Sequence, residues 1–525
     1  MRDLQLPGRS PVWAEHGVCA TSSPIAAEAA VQMLKDGGNA LDAAIAGAVL
    51  LGVTEPHMCG LGGDCFALIS PAGTDDIHAF NGSGRAVAKA DPQVLRDQGH
   101  ATVPLTDPLA VTVPGAVDGF FRMNALWGRK GMDEVLAPAI RYFDQGVAMA
   151  SRVTADYAQL ADKMTDTARR HFLPWGRAPK PGDRLAMPGQ AEVLRRLAKD
   201  GAKAFYEGEV AEDIIDALKK LGGPHELDDL AQHAGMQTDP IHGDYHGTEL
   251  WEHPPNGQGA TAILLANMLA QFDIAAMDPR GAERAHIEAE ATRLAYDARN
   301  RFVADPDHMT QLDYMLDLDT ARKLAALIDR KKATATLIQG AEAVHKDTVY
   351  ITVVDRDRMS VSLIYSVFHG FGSGICSDKF GIMLQNRGAG FSLTPGHENE
   401  MAPGKRPMHT IIPGMLKQGG KVIMPFGVMG GAYQATGHAR FLSNIVDFGM
   451  DPQEAMDCPR LFAEGDTLTV ERGYAPEVRQ ALADMGHKVE DPGTPIGGSQ
   501  AIRIHDNGFL EAGSDHRKDG CAIGY

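Results

Sequence analysis

With 525 residues, 44% of them hydrophobic and 22% charged, the chain has the composition of a folded, loop-rich globular protein rather than a disordered or coiled-coil one. Its formal charge of −18 surrounds it with a negative field, which argues against a nucleic-acid partner held through phosphates. The longest apolar run that matters, Ala43 to Val53, is broken by Gly47 and Gly52 and falls far short of the roughly 20 residues of a membrane span, so no membrane partner is expected.

The first 18 residues carry Arg2, Asp3, Arg9, Glu15 and His16 around two prolines and lack the apolar stretch of a secretory signal, which predicts a cytoplasmic protein. Residues 25–53 place Ala, Leu, Val and Ile at helical spacing, and Gly37-Gly38-Asn39 interrupts them, so a helical hairpin is expected. Its second half is apolar on nearly all sides and should lie buried against a sheet. Gly60 to Ser70 reads as a glycine turn leading into a strand, with further strand-like pieces as far as Phe80. Helical patterns dominate 130–220 and recur over 260–272 and 283–303; after Lys346 the pattern changes to alternating strands.

Six cysteines are scattered without a C-x-x-C pair and read as buried thiols. His57, His369, His409 and His438 lie in motif-rich segments, yet none has a second ligand at helical spacing, so neither a metal nor another cofactor is expected. No Pro/Gly/Ser-rich linker divides the chain. The best candidate boundary is the charged segment Gly340–Asp347, just before Thr348.

Thr348 to Asp355 alternates in β fashion, Asp355 to Arg358 supplies a turn, and Val361 to Phe368 forms a second strand, which together make a hairpin. On this pattern alone Thr348 is an ordinary β-branched strand residue. The glycines of His369-Gly-Phe-Gly-Ser-Gly374 suit a loop that another backbone or a ligand approaches closely, but they open no βαβ unit of the nucleotide-binding kind.

Nine blocks in order carry a resemblance that spans nearly the whole chain: ATSSPIAAEAAVQMLKDGGNALDAAIAGAVLLGVTEPHMCGLGGDCF near the N-terminus, VTVPGAVDGF at 111–120, HPPNGQGATAI at 253–263, EATRLAYDARNRFVADPD at 290–307, DTVYITVVD, FGSGI, PGKRPMHTIIP at 403–413, VMGGAYQATGH at 428–438 and GGSQAI at 497–502. In these the chain resembles the γ-glutamyltransferase (glutathione hydrolase) family of the N-terminal-nucleophile hydrolase superfamily. The resemblance implies an α+β fold, a four-layer αββα sandwich. It also implies a proenzyme that cuts itself between Asp347 and Thr348 into a large segment 1–347 and a small segment 348–525, which stay together as one intertwined domain.

The implied activity is that of a threonine amide hydrolase cleaving γ-glutamyl-type amides such as glutathione through an acyl-enzyme, with a small-molecule amide as partner and no cofactor. A threonine hydroxyl is a poor nucleophile until a base removes its proton, and a freed α-amine with a pKa of about 8 is such a base on the same residue. Ser366 matches the family hydroxyl residue that positions the nucleophile. Gly430 and Gly431 match the glycines whose N–H groups stabilise the tetrahedral intermediate.

Departures from the family pattern concern the substrate. The arginine position that holds the α-carboxylate falls on Ser83, with Arg85 two residues on. The acidic position that holds the α-amine falls on Gly390, in a stretch that introduces Arg387. His409-Thr410 replaces a serine pair and Phe368 replaces an asparagine. Arg85, Arg387, His409, Thr410 and Phe368 are therefore the expected substrate contacts. An acyl group that keeps a carboxylate but lacks the amine, as in oxamate or a glutaryl or cephalosporin-type amide, suits Arg85 or Arg387 without an acidic partner. The segment Phe391–Lys405 is shorter than the family's lid, which favours hydrolysis over transfer. A third reading is an uncut binding homologue, and the partners considered include further copies of the chain in a higher homo-oligomer.

Overall fold

A computed structural model describes residue 5 and residues 8–334 and 348–525; Asp347, one half of the expected cleavage site, lies outside these residues. Two seven-stranded sheets form the centre, and every pairing within them is antiparallel. The first runs Val12–Ala14, Leu510–Ser514, Gly498–Ile504, Lys421–Met429, Gly414–Gln418, Thr248–Glu252, Ile241–Tyr245. The second runs Cys521–Gly524, Val18–Thr21, Val349–Val354, Ser360–Ser366, Asp64–Ser70, His78–Gly82, Met236–Thr238.

The expected helical hairpin covers the second sheet. Helix Pro24–Lys35 stops before Gly37, whose φ of +91° is one that glycine adopts without strain. Helix Ala40–Thr54 then starts on a capping box, in which the Asn39 side chain accepts from the Asp42 N–H and the Asp42 carboxylate from the Asn39 N–H. All 15 of its residues are buried, as its all-round apolar composition requires. It lies across the strands Val349–Val354 and Ser360–Ser366. The outer face of the first sheet is covered by helices Gly259–Leu269 and Gln434–Val446, helix Ala282–Phe302 packs on these two, and the apolar sides of all three make a second core. Helix, sheet, sheet and helix give the αββα order. No helix among the described residues is long and apolar enough to cross a membrane.

Two sequence expectations need correction. The region after Thr348 is not strand alone: the buried helix Gln434–Val446, which covers the first sheet, and the short helices Pro452–Asp457 and Pro476–Asp484 interrupt it. Five cysteines are buried, but Cys521, on an edge strand, is only half-buried.

Between the sheets the register sets side chains in rows. Tyr350 stands beside Ile364, and Ile364 beside Phe66, and this apolar row meets Met429 of the opposite sheet and Ile411, which lies just before the strand Gly414–Gln418 of that sheet. Side chains alternate faces along a strand, so the residues two positions along share this inner face. They are Ser366 paired with Asp64, and Thr348, which the register Val349↔Tyr365 sets opposite Ser366. A polar row thus sits at the end of the apolar one. The sheets touch closely here because Gly427 has no side chain: a Cβ would stand 2.3 Å from Cε2 of Tyr350.

Gly427→Val is expected to force the sheets apart and cost at least about 2 kcal/mol through overpacking. Urea denaturation checks this, and an unchanged midpoint would show that the contact is not needed.

Candidate active site

Thr348 is 2% exposed and heads the strand Val349–Val354, which is buried along its whole length. Ser366 ends the neighbouring strand, and its Oγ accepts a hydrogen bond from the Phe368 N–H at 2.8 Å. That bond accompanies a sharp departure from the sheet: Phe368 has φ +80° and Phe371 φ +59°, conformations that cost a non-glycine residue about 1–3 kcal/mol.

Asp64 completes the polar row and is fully buried. Its Oδ1 accepts from the N–H groups of Gly84 at 3.1 Å and Gly115 at 3.0 Å and from Nε2 of Gln385 at 3.0 Å. Its Oδ2 lies 3.3 Å from Nε2 of His409. Burial outweighs these donors and the nearby Arg387 charge, and the carboxyl is raised to about 6. Burial, with help from Arg387, holds the His409 imidazole well below its usual range, so His409 is a neutral ring donating Nε2–H to Asp64.

Arg387 opens a short helical turn, Arg387–Gly390, and is fully buried. Its Nη1 donates to Thr410 Oγ1 at 3.2 Å and its Nη2 to Ser366 Oγ at 3.4 Å, while its Nε has no partner. The guanidinium lies 4.0 Å from the centre of the Phe368 ring. Among the described residues no carboxylate comes within ion-pair distance of it, and burial lowers its pKa to about 9. Arg387, His409, Thr410 and Phe368 therefore converge on the polar row.

Arg85 does not. Its side chain is 40% exposed, pairs with Asp305 at 3.4 Å and donates to the Gly404 carbonyl at 2.8 Å. Ser83, at the family's arginine position, is buried and donates to Asn81 Oδ1 at 2.7 Å.

Strand Lys421–Met429 delivers Gly430 to the same region. Gly430 has φ +117°, and a Cβ there would stand 2.9 Å from the Gly497 Cα, so only glycine fits; Gly431 follows with φ +57°. Gln258 fixes this turn by donating Nε2–H to the Gly431 carbonyl at 3.0 Å and to the Thr410 carbonyl at 2.6 Å, and Arg299 holds Gln258 through Oε1 at 3.1 Å. Thr348 and Gly430 line a cavity of about 330 Å³ together with Tyr433, Phe462, Arg152 and Lys518. A second cavity of about 310 Å³ has Phe368, Ala389, Gly390 and the buried Arg299 in its wall, and no carboxylate among its described lining residues.

Asp64, Gln258 and Arg299 escaped sequence reasoning although all three lie in the blocks quoted above. Their partners are far away in sequence, so no local spacing marks them. A buried group far from this site, His286, Glu290 and His487, brings three possible ligand atoms within 4.8 Å of one another. Arg293 Nη1 lies 3.2 Å from His487 Nδ1, His487 Nε2 lies 2.7 Å from His286 Nδ1, and His286 Nε2 lies 2.7 Å from the Asp329 carbonyl. One set of tautomers makes these a continuous donor chain. A metal on the two facing nitrogens would put a proton on His487 Nδ1, against Arg293, so the residues fit a hydrogen-bond chain better than a metal centre.

A carboxyl whose pKa is higher in the folded than in the unfolded state binds its proton more tightly when folded, so the fold loses stability as pH rises from about 4 to about 6 through Asp64. Asp64→Asn is expected to gain on the wild type by about 2–3 kcal/mol between pH 4 and pH 7.5. Urea denaturation at both pH values tests this; a stability difference that stays flat with pH would show that Asp64 is not the titrating group.

A family model described as gamma-glutamyltranspeptidase matches residues 26–525. The chain is 35% identical over 517 residues to the glutathione hydrolase-like YwrD proenzyme of Bacillus subtilis (strain 168), covering 95% of this chain and 97% of that one. It is 34% identical over 532 residues to the oxamate amidohydrolase proenzyme of Klebsiella pneumoniae subsp. pneumoniae, covering 97% and 98%. Among solved structures, the cephalosporin acylase from Bacillus halodurans superposes with a TM-score of 0.93 at 35% identity, over 100% of this chain and 99% of that one.

Proposed function

Because the chain belongs to the γ-glutamyltranspeptidase family of N-terminal-nucleophile hydrolases, enzymes of acyl-amide bonds, we propose that it hydrolyses an amide whose acyl group carries a carboxylate but no α-amine, with Thr348 as nucleophile. The observation that carries the substrate reading is the buried Arg387, which contacts Ser366 and Thr410 and has no carboxylate within ion-pair distance among the described residues. Ala389 and Gly390 stand at the family's acidic position, and among the described residues no carboxylate lines the cavity that they border. A planar guanidinium is the group that pairs best with a carboxylate. The names of two relatives, an oxamate amidohydrolase and a cephalosporin acylase, agree with an acyl group other than γ-glutamyl.

In the precursor the Thr348 hydroxyl attacks the carbonyl carbon of Asp347. The C–N bond breaks as the ester to Oγ1 forms, the hydroxyl proton passes to the departing Thr348 nitrogen, and water then opens the ester, leaving segments 1–347 and 348–525. In the mature protein the freed α-amine takes the hydroxyl proton, and Oγ1 attacks the substrate carbonyl. The N–H groups of Gly430 and Gly431 hold the oxyanion. The leaving amine departs with the proton, and water hydrolyses the acyl ester on Thr348.

Intact mass under denaturing conditions should show two chains for the wild type, the second beginning at Thr348, and one whole chain for Thr348→Ala. With the mature protein, glutaryl- and oxalyl-amides should be hydrolysed and γ-glutamyl amides hardly at all; turnover of the γ-glutamyl compound alone would overturn the substrate reading. Arg387→Met should lower kcat/KM for the carboxylate substrates about 100-fold, the scale of a lost charge-assisted pair of roughly 3 kcal/mol.

A further inference from the structure

Helix Gln434–Val446 begins three residues after the Gly431 turn, and the side chain of its first residue points back into the polar row. Gln434 is fully buried. Its Oε1 accepts the Ile412 N–H at 2.9 Å, and since a backbone N–H can only donate, this contact fixes which end of the carboxamide is oxygen. Nε2 is thereby turned toward Thr348, 3.5 Å from Oγ1. A carboxamide N–H can only donate, so the hydroxyl oxygen accepts on that side and its own proton is directed elsewhere. The contact is long, as hydrogen bonds to a reacting atom commonly are before the reaction closes them up.

We propose that Gln434 is a catalytic hydrogen-bond donor to the Thr348 nucleophile, orienting its hydroxyl and stabilising the negative charge that gathers on Oγ1 as the proton leaves. The inference rests on Thr348 being the nucleophile and adds a residue to its machinery. No proton changes owner at Gln434: the carboxamide donates before, during and after the attack, so its action needs no titration and no co-reactant. It also couples three parts of the site. Ile412 follows Thr410 by two residues, Thr348 supplies the oxygen, and the helix that carries Gln434 continues directly from the Gly430–Gly431 turn.

The contact exists in the uncut chain, so self-cleavage reads it without a substrate. Wild type, Thr348→Ala, Gln434→Met and Gln434→Glu are made by cell-free translation and chased between pH 5 and pH 9, with cleavage followed by gel and intact mass and folding by thermal melting. Gln434→Met keeps the volume and loses the donor, and its cleavage should be at least tenfold slower at every pH. Gln434→Glu can donate an O–H to Oγ1 only while protonated. Its rate should approach the wild type at the acid end and fall toward that of Gln434→Met as the carboxyl ionises, a limb that a purely structural role would not create. Cleavage of Gln434→Met at the wild-type rate, or a Gln434→Glu profile parallel to the wild type, overturns the proposal while leaving Thr348 in place. A wild type that stays whole overturns the nucleophile reading and this proposal with it.

Discussion

Four donors from four distant stretches of chain converge on the Asp64 carboxylate: the N–H groups of Gly84 and Gly115, the Gln385 carboxamide and the His409 ring. In the space between two sheets a carboxylate without such partners would be too costly to keep, because burial removes the water that otherwise solvates it. The requirement fixes the site from below. Gly84 follows the strand His78–Gly82, Gly115 precedes the helix Ala116–Trp127, Gln385 leads into Arg387, and His409 precedes Thr410. Displacing the carboxylate would loosen all four at once, and with them the groups that face Thr348.

Arg387 presents the complementary case. A buried guanidinium normally finds a carboxylate, and here it finds the face of Phe368, two hydroxyl oxygens and the more distant charge of Asp64. The ring of Phe368 reaches it only because the backbone turns left-handed straight after the strand, with Ser366 Oγ holding the Phe368 N–H. Strain in one residue therefore underwrites the placement of a charge in another, the kind of local cost that concentrates where a ligand must be met.

How much of this could be read in the sequence depends on the range of the contact. The hairpin from Thr348 to Ser366 was legible because its period and its Asp355–Arg358 turn are local, and the helical hairpin 25–53 because its apolar spacing and the interrupting Gly37-Gly38-Asn39 are local as well. Nothing in the strand pattern distinguishes Thr348 from any other β-branched residue; only the ordered blocks around it did. Arg85 and Arg387 looked equivalent as free cations near family positions. Spacing along the chain does not say where a side chain points, and Arg85 leaves the sheet toward Asp305 and the surface while Arg387 turns inward. Gln258 and Gln434 were silent for the same reason: their partners lie 22 to 173 residues away.

The strand order carries a consequence for the life of the molecule. Val349–Val354 is paired on one side with Val18–Thr21, which is paired in turn with Cys521–Gly524, and in the other sheet Gly414–Gln418 is paired with Thr248–Glu252. Strands from before and after Thr348 are thus interleaved like the fingers of two hands. A backbone break there would leave two polypeptides that part only by unfolding, so dilution alone would not separate them. Assembly would be easy once and hard thereafter: a single chain threads both sheets at a rate indifferent to its concentration, whereas two severed pieces must first meet. The precursor is then more than a dormant form, being the one covalent state in which this interlaced pair of sheets can be built without a search for a partner.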